Sequence, residues 1–157
     1  MTTPLNVHGT GLLLGSVGVL LRGPSGAGKS VLALSLLDRS EGRGEAAFLV
    51  ADDRVDVVRT GTQVTMEAPP SLAGLIELRG RGIVSRPHRS GVRLDLVVDL
   101  VPENSRMLEE DALATELAGA RLARAPVPQA GLISLGHQVL LVVEAIRGLP
   151  QQRQKTT

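Results

Sequence analysis

Apolar residues fall into short blocks along this chain, and the blocks are punctuated by glycine, proline or paired charges. Leu12 to Leu21 (LLLGSVGVLL) is one such block, and its second half predicts a buried strand. After Lys29 comes SVLALSLLDRS, with Leu32, Leu36 and Leu37 at helical spacing, so a helix follows. A glycine-rich link, EGRGE, leads to AAFLVADD, which predicts a second buried strand ending in two acids. VDVVRTGTQVTMEA alternates about a glycine turn and predicts a hairpin. Pro69 and Pro70 break the chain, and a short apolar piece, LAGLIEL, then runs into RGRG.

The second half of the chain alternates in the same way. VRLDLVVDL, residues 92–100, predicts a strand, and VPENSRMLEED predicts a polar loop. ATELAGARLARAPVPQA holds Gly119 and two prolines, which favour strand and loop over helix. LISLGHQVLLVVEAIRG spaces Leu132, Leu135, Val139, Val143 and Ile146 along one face of a final helix. The polar end, QQRQKTT, is expected to fray.

Composition narrows the function. A chain of 157 residues suits one domain with a core. The formal charge of +1 provides no strong field for nucleic acid or membrane. One Phe and no Trp or Tyr leave no platform for stacking bases, so no nucleic-acid partner is expected. The absence of Cys excludes disulfides, thiolate metal sites and cysteine nucleophiles. No basic leader and no apolar run of spanning length is visible, so a cytoplasmic protein with no membrane partner is expected.

Residues 23–30 read GPSGAGKS and fit G-x-x-x-x-G-K-[ST] between a predicted strand and a predicted helix. Gly23, Pro24, Ser25, Gly26, Ala27 and Gly28 would turn backbone N–H groups toward phosphate, aided by the positive end of the helix. Lys29 would reach the β and γ phosphates, and Ser30 would ligate Mg²⁺. Asp52 and Asp53 end a strand beside this loop. One could hold metal while the other takes a proton from an attacking hydroxyl. Read locally, the same pair could equally be a solvated turn. Glu77 beside Arg79 and Arg81 could be a second metal ligand, although the local pattern alone favours an exposed ion-pair patch. His8, His88, His137 and Arg106 read, in isolation, as surface residues.

Taken in order, VHGTG at His8, GPSGAGKS, LVADDRVDV and IELRGRGI resemble the catalytic domain of HPr kinase/phosphorylase, which phosphorylates a serine of the phosphocarrier HPr. LLVVEAIRG is similar to the family's C-terminal helix. The resemblance implies an α/β fold around a mixed twisted sheet flanked by helices, of the HPr kinase and PEP carboxykinase kind. The hairpin segment agrees, since it does not fit a purely parallel sheet. It implies ATP and Mg²⁺ as cofactors, with pyrophosphate or inorganic phosphate as alternative donor or acceptor, and a homo-oligomer, a hexamer in the family. It also assigns roles: His8 supports the catalytic acid, Lys29 holds the transferred phosphoryl, Ser30 and Glu77 ligate Mg²⁺, Asp52 makes an auxiliary metal or water contact, and Asp53 is the proton acceptor. Arg106 matches a catalytic Arg by a loose alignment. Residues 1–149 would form one catalytic domain and 150–157 a tail, similar to the short form of the family in alphaproteobacteria.

Two departures stand out. Val31 and Leu32 replace the family's Glu and Thr after the loop serine, a change expected to alter packing rather than catalysis. Residues 126–131 read PVPQAG, where the family's Pro-Val-Arg-Pro-Gly-Arg carries two cations, so a kinase with weak or absent phosphorolysis is expected. Two other readings share the phosphate loop: a kinase of small metabolites, and a nucleotide sensor without catalysis. A guanine-specific switch is disfavoured, because no Asn-Lys-x-Asp motif is present.

Overall fold

The protein was studied as a computed structural model, which describes residues 3–150. The tail expected over 150–157 therefore lies, apart from Pro150, outside the described residues. In chain order the elements are β1 (Leu5–His8), β2 (Thr10–Leu14), β3 (Val17–Arg22), α1 (Lys29–Gly42), β4 (Ala47–Ala51), β5 (Arg54–Thr60) and β6 (Gln63–Glu67). These are followed by β7 (Leu75–Leu78), β8 (Gly82–Ser85), β9 (Val92–Arg93), β10 (Leu96–Val101), β11 (Ala114–Leu117), β12 (Ala120–Pro128) and α2 (Leu135–Arg147).

Six strands form a mixed sheet in the order β11-β12-β10-β3-β2-β4. Its centre, β12, β10 and β3, is parallel, and the outer pairings are antiparallel. A second sheet, β1-β5-β6-β9, is antiparallel where it is paired, and β7 and β8 make a separate hairpin. Side chains alternate between the two faces of the large sheet, as a period of two requires. Leu12, Leu14, Val19 and Leu21 join a core with Leu32, Leu36 and Leu37 of α1 and Val142 of α2. Leu13 and Leu20 join a second core with Val55, Val57 and Met66 of the smaller sheet. Both helices therefore lie on one face, and the other face is covered by strands.

Several expectations change in detail. LLLGSVGVLL supplies two strands, not one, because Gly15 at φ 64° lets β2 turn straight back into β3. α1 runs through Gly42 and so absorbs the first residues of the expected link. LIELRGRGI folds as the β7–β8 hairpin, with RGRG at its turn. The 114–128 segment is strand on both sides of a tight turn at Ala118 (φ 54°) and Gly119 (φ 79°). Pro126 and Pro128 fit within β12 for a geometric reason. The Gln129 N–H bonds Val101 on β10, so N–H positions at 126 and 128 point the other way, where β11 has already ended. The final helix begins at Leu135, and its buried face is Gln138, Val142 and Val143, with Val139 and Ile146 packed alongside. Leu132 lies before the helix, and Leu132 and Leu135 are exposed, so the predicted stripe is displaced toward the C-terminus.

Candidate active site

β3 leads directly into the loop Gly23–Gly28, and α1 begins at Lys29. Gly26 (φ 86°) and Gly28 (φ 96°) hold left-handed backbone that other residues adopt only under strain. Gly28 is further constrained by space, since a Cβ there would lie 2.8 Å from the Cβ of Ala130. The Ala130 N–H donates to the Ala27 carbonyl at 3.1 Å, so the chain after β12 braces the loop. No side chain caps α1, which leaves its first-turn N–H groups and its dipole for an anion. Lys29 curls over the loop, with Nζ donating to the carbonyls of Gly23 (2.7 Å) and Pro24 (3.2 Å). Burial lowers the Lys29 pKa, and the charges of Asp52 and Asp53 offset part of that effect.

The other site residues come from two adjacent corners where the chain passes between sheets. Asp52 and Asp53 join β4 of the large sheet to β5 of the smaller one. Gly9 joins β1 to β2 in the opposite sense, and its N–H donates to the Asp53 carbonyl at 3.1 Å. Only glycine fits at position 9, where a Cβ would lie 2.6 Å from the Leu21 carbonyl oxygen. Antiparallel pairing of β1 with β5 sets His8 opposite Arg54, which brings His8 Nε2 to 3.4 Å from Asp53 Oδ1. Asp53 stands at φ 71°, a conformation aspartate tolerates better than most residues but still a strained one. Its carboxylate is open to solvent, at 68% exposure.

Asp52 is held more firmly. The hydroxyl of fully buried Thr10 donates to Asp52 Oδ1 at 2.8 Å. The backbone N–H of Glu77 approaches Oδ2 at 3.4 Å. Thr10 is a site residue that the sequence reading did not single out, although it lies within the VHGTG motif.

These groups line one cleft of about 570 Å³, with His8, Ser25, Gly26, Gly28, Lys29, Ser30, Asp52, Asp53 and Glu77 on its walls. Ala27 is buried beneath the loop. Gly23 and Pro24 contribute carbonyls to Lys29 instead of lining the cleft. Arg79 lines it as well, and Val31, Leu72, Leu75 and Ile83 form a partly exposed apolar rim. Of the two residues after Ser30, Leu32 is packed in the core, whereas Val31 faces this cleft. Arg106 does not line it. It is exposed in the loop after β10. His88 and His137 also lie elsewhere.

The donors present fit a triphosphate and a hard divalent cation. The loop offers amide N–H groups and an ammonium, while Ser30, Asp52 and Glu77 offer oxygen. Among the described residues no three His, Cys, Asp or Glu side chains cluster tightly enough to hold a metal alone, so phosphate and water would complete its shell.

A second charged cluster supports the site from the other face of the large sheet. Arg22, the last residue before the loop, grips Asp99 with two hydrogen bonds of 2.8 and 3.0 Å. Arg124 donates to the same carboxylate at 2.6 Å and to the Ala112 carbonyl at 2.9 Å. Burial pushes the Asp99 carboxyl up, but the hydrogen bonds and charges of Arg22 and Arg124 together hold it below the usual carboxylate range.

Fold and cleft together define a phosphate-loop α/β protein. The family described as the HPr Serine kinase C-terminal domain matches residues 1–156, and the chain belongs to that family. Among its relatives are proteins named HPr kinase/phosphorylase from Cupriavidus metallidurans and Burkholderia cenocepacia. The first is 33% identical over 152 residues, covering 90% of this chain and 44% of the relative. The second is 33% identical over 150 residues, covering 88% and 44%. The chain thus spans less than half the length of these relatives. A solved structure described as the Hpr(Ser) kinase/phosphatase from Coxiella burnetii superposes with a TM-score of 0.72 at 24% identity, covering 97% of this chain and 98% of that one, which supports the mixed α/β fold. No helix among the described residues is long and apolar enough to cross a membrane.

Proposed function

We propose that residues 1–149 form the catalytic domain of an ATP-dependent protein kinase that phosphorylates a serine of an HPr-type phosphocarrier. The observation that carries this reading is the convergence of His8, Asp52 and Asp53 on the mouth of the phosphate loop. Residues 23–30 would hold the nucleotide phosphates, and Ser30, Asp52 and Glu77 would hold Mg²⁺. Bound there, the metal would neutralise charge on the transferring phosphoryl group. Asp53 is exposed enough to meet a hydroxyl carried in on another protein, and takes its proton as the oxygen attacks the γ-phosphorus and the bond to the bridging oxygen breaks, releasing ADP. His8 positions that carboxylate. Thr10 fixes Asp52, so that the two adjacent acids serve separate purposes. Lys29 leaves the loop carbonyls and steadies the charge of the transferred group. The apolar rim of Val31, Leu72, Leu75 and Ile83 suits a protein surface better than a small polar metabolite. A cytoplasmic homo-oligomer remains part of this proposal.

The direct test mixes the protein with HPr, ATP and Mg²⁺ and measures the intact mass of HPr. One added phosphate is expected, and Asp53→Asn should slow its appearance roughly 10²–10⁴-fold while ATP still binds. Transfer at full rate in Asp53→Asn would move the base elsewhere, with Asp52 next. ATP binding without transfer would favour a sensor.

The brace against the phosphate loop bears on the reverse reaction. The segment of residues 126–131 meets Gly28 through Ala130 and carries no cation. Phosphorolysis of phosphoserine-HPr by inorganic phosphate is therefore expected to run roughly a hundredfold or more below the kinase rate. Pyrophosphate release at a comparable rate would overturn this.

A further inference from the structure

Charge is distributed unevenly along this chain. Residues 78–94 hold five arginines, one histidine and no acid, although the whole chain carries a formal charge of only +1. They form the end of β7, the RGRG turn, β8, a strap of residues 86–91 and β9. Arg79, Arg81 and Arg89 are exposed and Arg86 is half-buried. None of these four is in an ion pair among the described residues, whereas Arg93, at the far end, is paired with Asp95.

Two acids lie beside this strip through strand pairing. Glu77 stands across from Ile83 on the hairpin and lines the nucleotide cleft. Glu67 follows Met66, whose carbonyl accepts the Gly91 N–H at 3.0 Å. Four unpaired guanidiniums against these two carboxylates leave a local balance of +2. Asp52 and Asp53 belong to the cleft itself, where their charge acts on Lys29.

The arginines are held in place. The Arg86 N–H donates to the Gly74 carbonyl at 2.9 Å. The Leu49 N–H donates to the Pro87 carbonyl at 2.9 Å, and the Arg89 N–H returns to the Leu49 carbonyl at 3.1 Å, so the strap runs along the outer edge of β4. The Arg89 guanidinium lies 4.2 Å from the centre of the Phe48 ring. Like charges fixed side by side repel, and a rigid backbone cannot spread them apart. A partner of opposite charge removes that repulsion and meets groups that are already ordered.

The strip also adjoins the site. Arg79 and Ile83 line the nucleotide cleft, and Ile83 is 66% exposed. A protein that presents a serine hydroxyl to Asp53 covers this hairpin. The turn is Gly80-Arg81-Gly82, which offers no bulky apolar residue to enter a bilayer. The strip holds no aromatic side chain on which bases would stack. Protein is therefore the occupant that fits it.

We propose that the β7–β8 hairpin and the strap after it are a cationic docking surface for an acidic face of the serine-bearing protein substrate. Arg81 and Arg86 steer and hold that face, and Ile83 packs against its apolar centre. This role rests on the kinase reading of the neighbouring cleft.

Steady-state phosphorylation of HPr by the whole chain, at ionic strengths from about 0.05 to 0.3 M, tests the surface. The value of kcat/KM is expected to fall steeply with salt. Arg81→Glu combined with Arg86→Glu should raise KM for HPr about tenfold, leave kcat and the KM for ATP within about twofold, and flatten the salt dependence. Arg81→Glu alone, at an exposed turn, should raise KM about threefold with an unchanged melting temperature, and Arg81→Lys should restore it. A KM for HPr indifferent to salt and to the reversed charges would overturn the docking role and leave the kinase reading standing. No phosphorylation of HPr by the unaltered chain would overturn both. Sedimentation with vesicles of phosphatidylglycerol and phosphatidylcholine that is lost in the double variant, while KM stays unchanged, would assign the strip to a membrane surface and overturn the docking role as well.

Discussion

The central strands β3, β10 and β12 end in two different kinds of cleft. At their C-terminal end a single run of eight residues, GPSGAGKS, forms the phosphate loop, and His8, Asp52, Asp53 and Glu77 are brought to it from other parts of the chain. At their N-terminal end the cleft is assembled from Ser16, Thr62, Arg93 and Arg121, which are far apart in sequence. Both ends rely on glycine where backbone approaches backbone, but for different reasons. Gly28 shapes a loop that receives an anion, and Gly18 lets two sheets touch. A Cβ on Gly18 would lie 1.8 Å from the Arg93 carbonyl oxygen. The first cleft is thus built around a local backbone device, and the second is a by-product of sheet packing.

The largest effect expected in this comparison is at Gly18. Gly18→Ala drives a methyl into backbone that cannot rotate away, so it should destabilise the fold by about 3 kcal/mol or more. Chemical denaturation measures this, and a loss under about 1 kcal/mol would show that the sheets separate easily.

Gly28→Ala comes next. It faces a left-handed φ and the Ala130 contact together, and should destabilise by about 1–3 kcal/mol. Its distinguishing consequence is lost ATP binding, which Gly18→Ala should spare in whatever fraction remains folded. Equal loss of nucleotide affinity in the two variants would erase the distinction between the two ends.

The smallest effect tests the support beneath the loop. Asp99 has a folded pKa held below its unfolded value of about 3.9, so its contribution is fully present above that value. The contribution is lost as pH falls from about 4 through the lower folded pKa. Asp99→Asn should cost about 1 kcal/mol near neutrality and flatten the acid limb of a stability–pH curve. An unchanged acid limb would remove Asp99 from the account.

Much of the phosphate-loop end was legible before the fold was seen. GPSGAGKS carries its own strand and helix context, and Asp52 and Asp53 close an obviously buried strand. The motif VHGTG pointed to His8 but not to Thr10. A threonine has no local signature as a buried donor until β2 is packed and its hydroxyl faces a carboxylate. Arg106 lies in a polar loop aligned only loosely, and its exposed side chain is not among the residues that line the cleft. The last helix was recognised by its period, yet Leu132 and Leu135 were placed on its buried face. Its start is set by Ser134, whose hydroxyl accepts the His137 N–H, and hydrophobicity does not report that cap.

By itself the sequence determined the phosphate loop, the acid pair beside it, the alternation that builds α/β layers and the family resemblance, because each depends on residues close together or on a repeating period. Tertiary structure alone decided that both helices share one face, that β1 and β5 bring His8 to Asp53, that Arg22 and Arg124 converge on Asp99, and that a second cleft opens where β3, β6 and β12 begin. Those outcomes rest on strand pairing and sheet packing across tens of residues, and the chain encodes such contacts only through the complete set of cores that make one arrangement more stable than the rest.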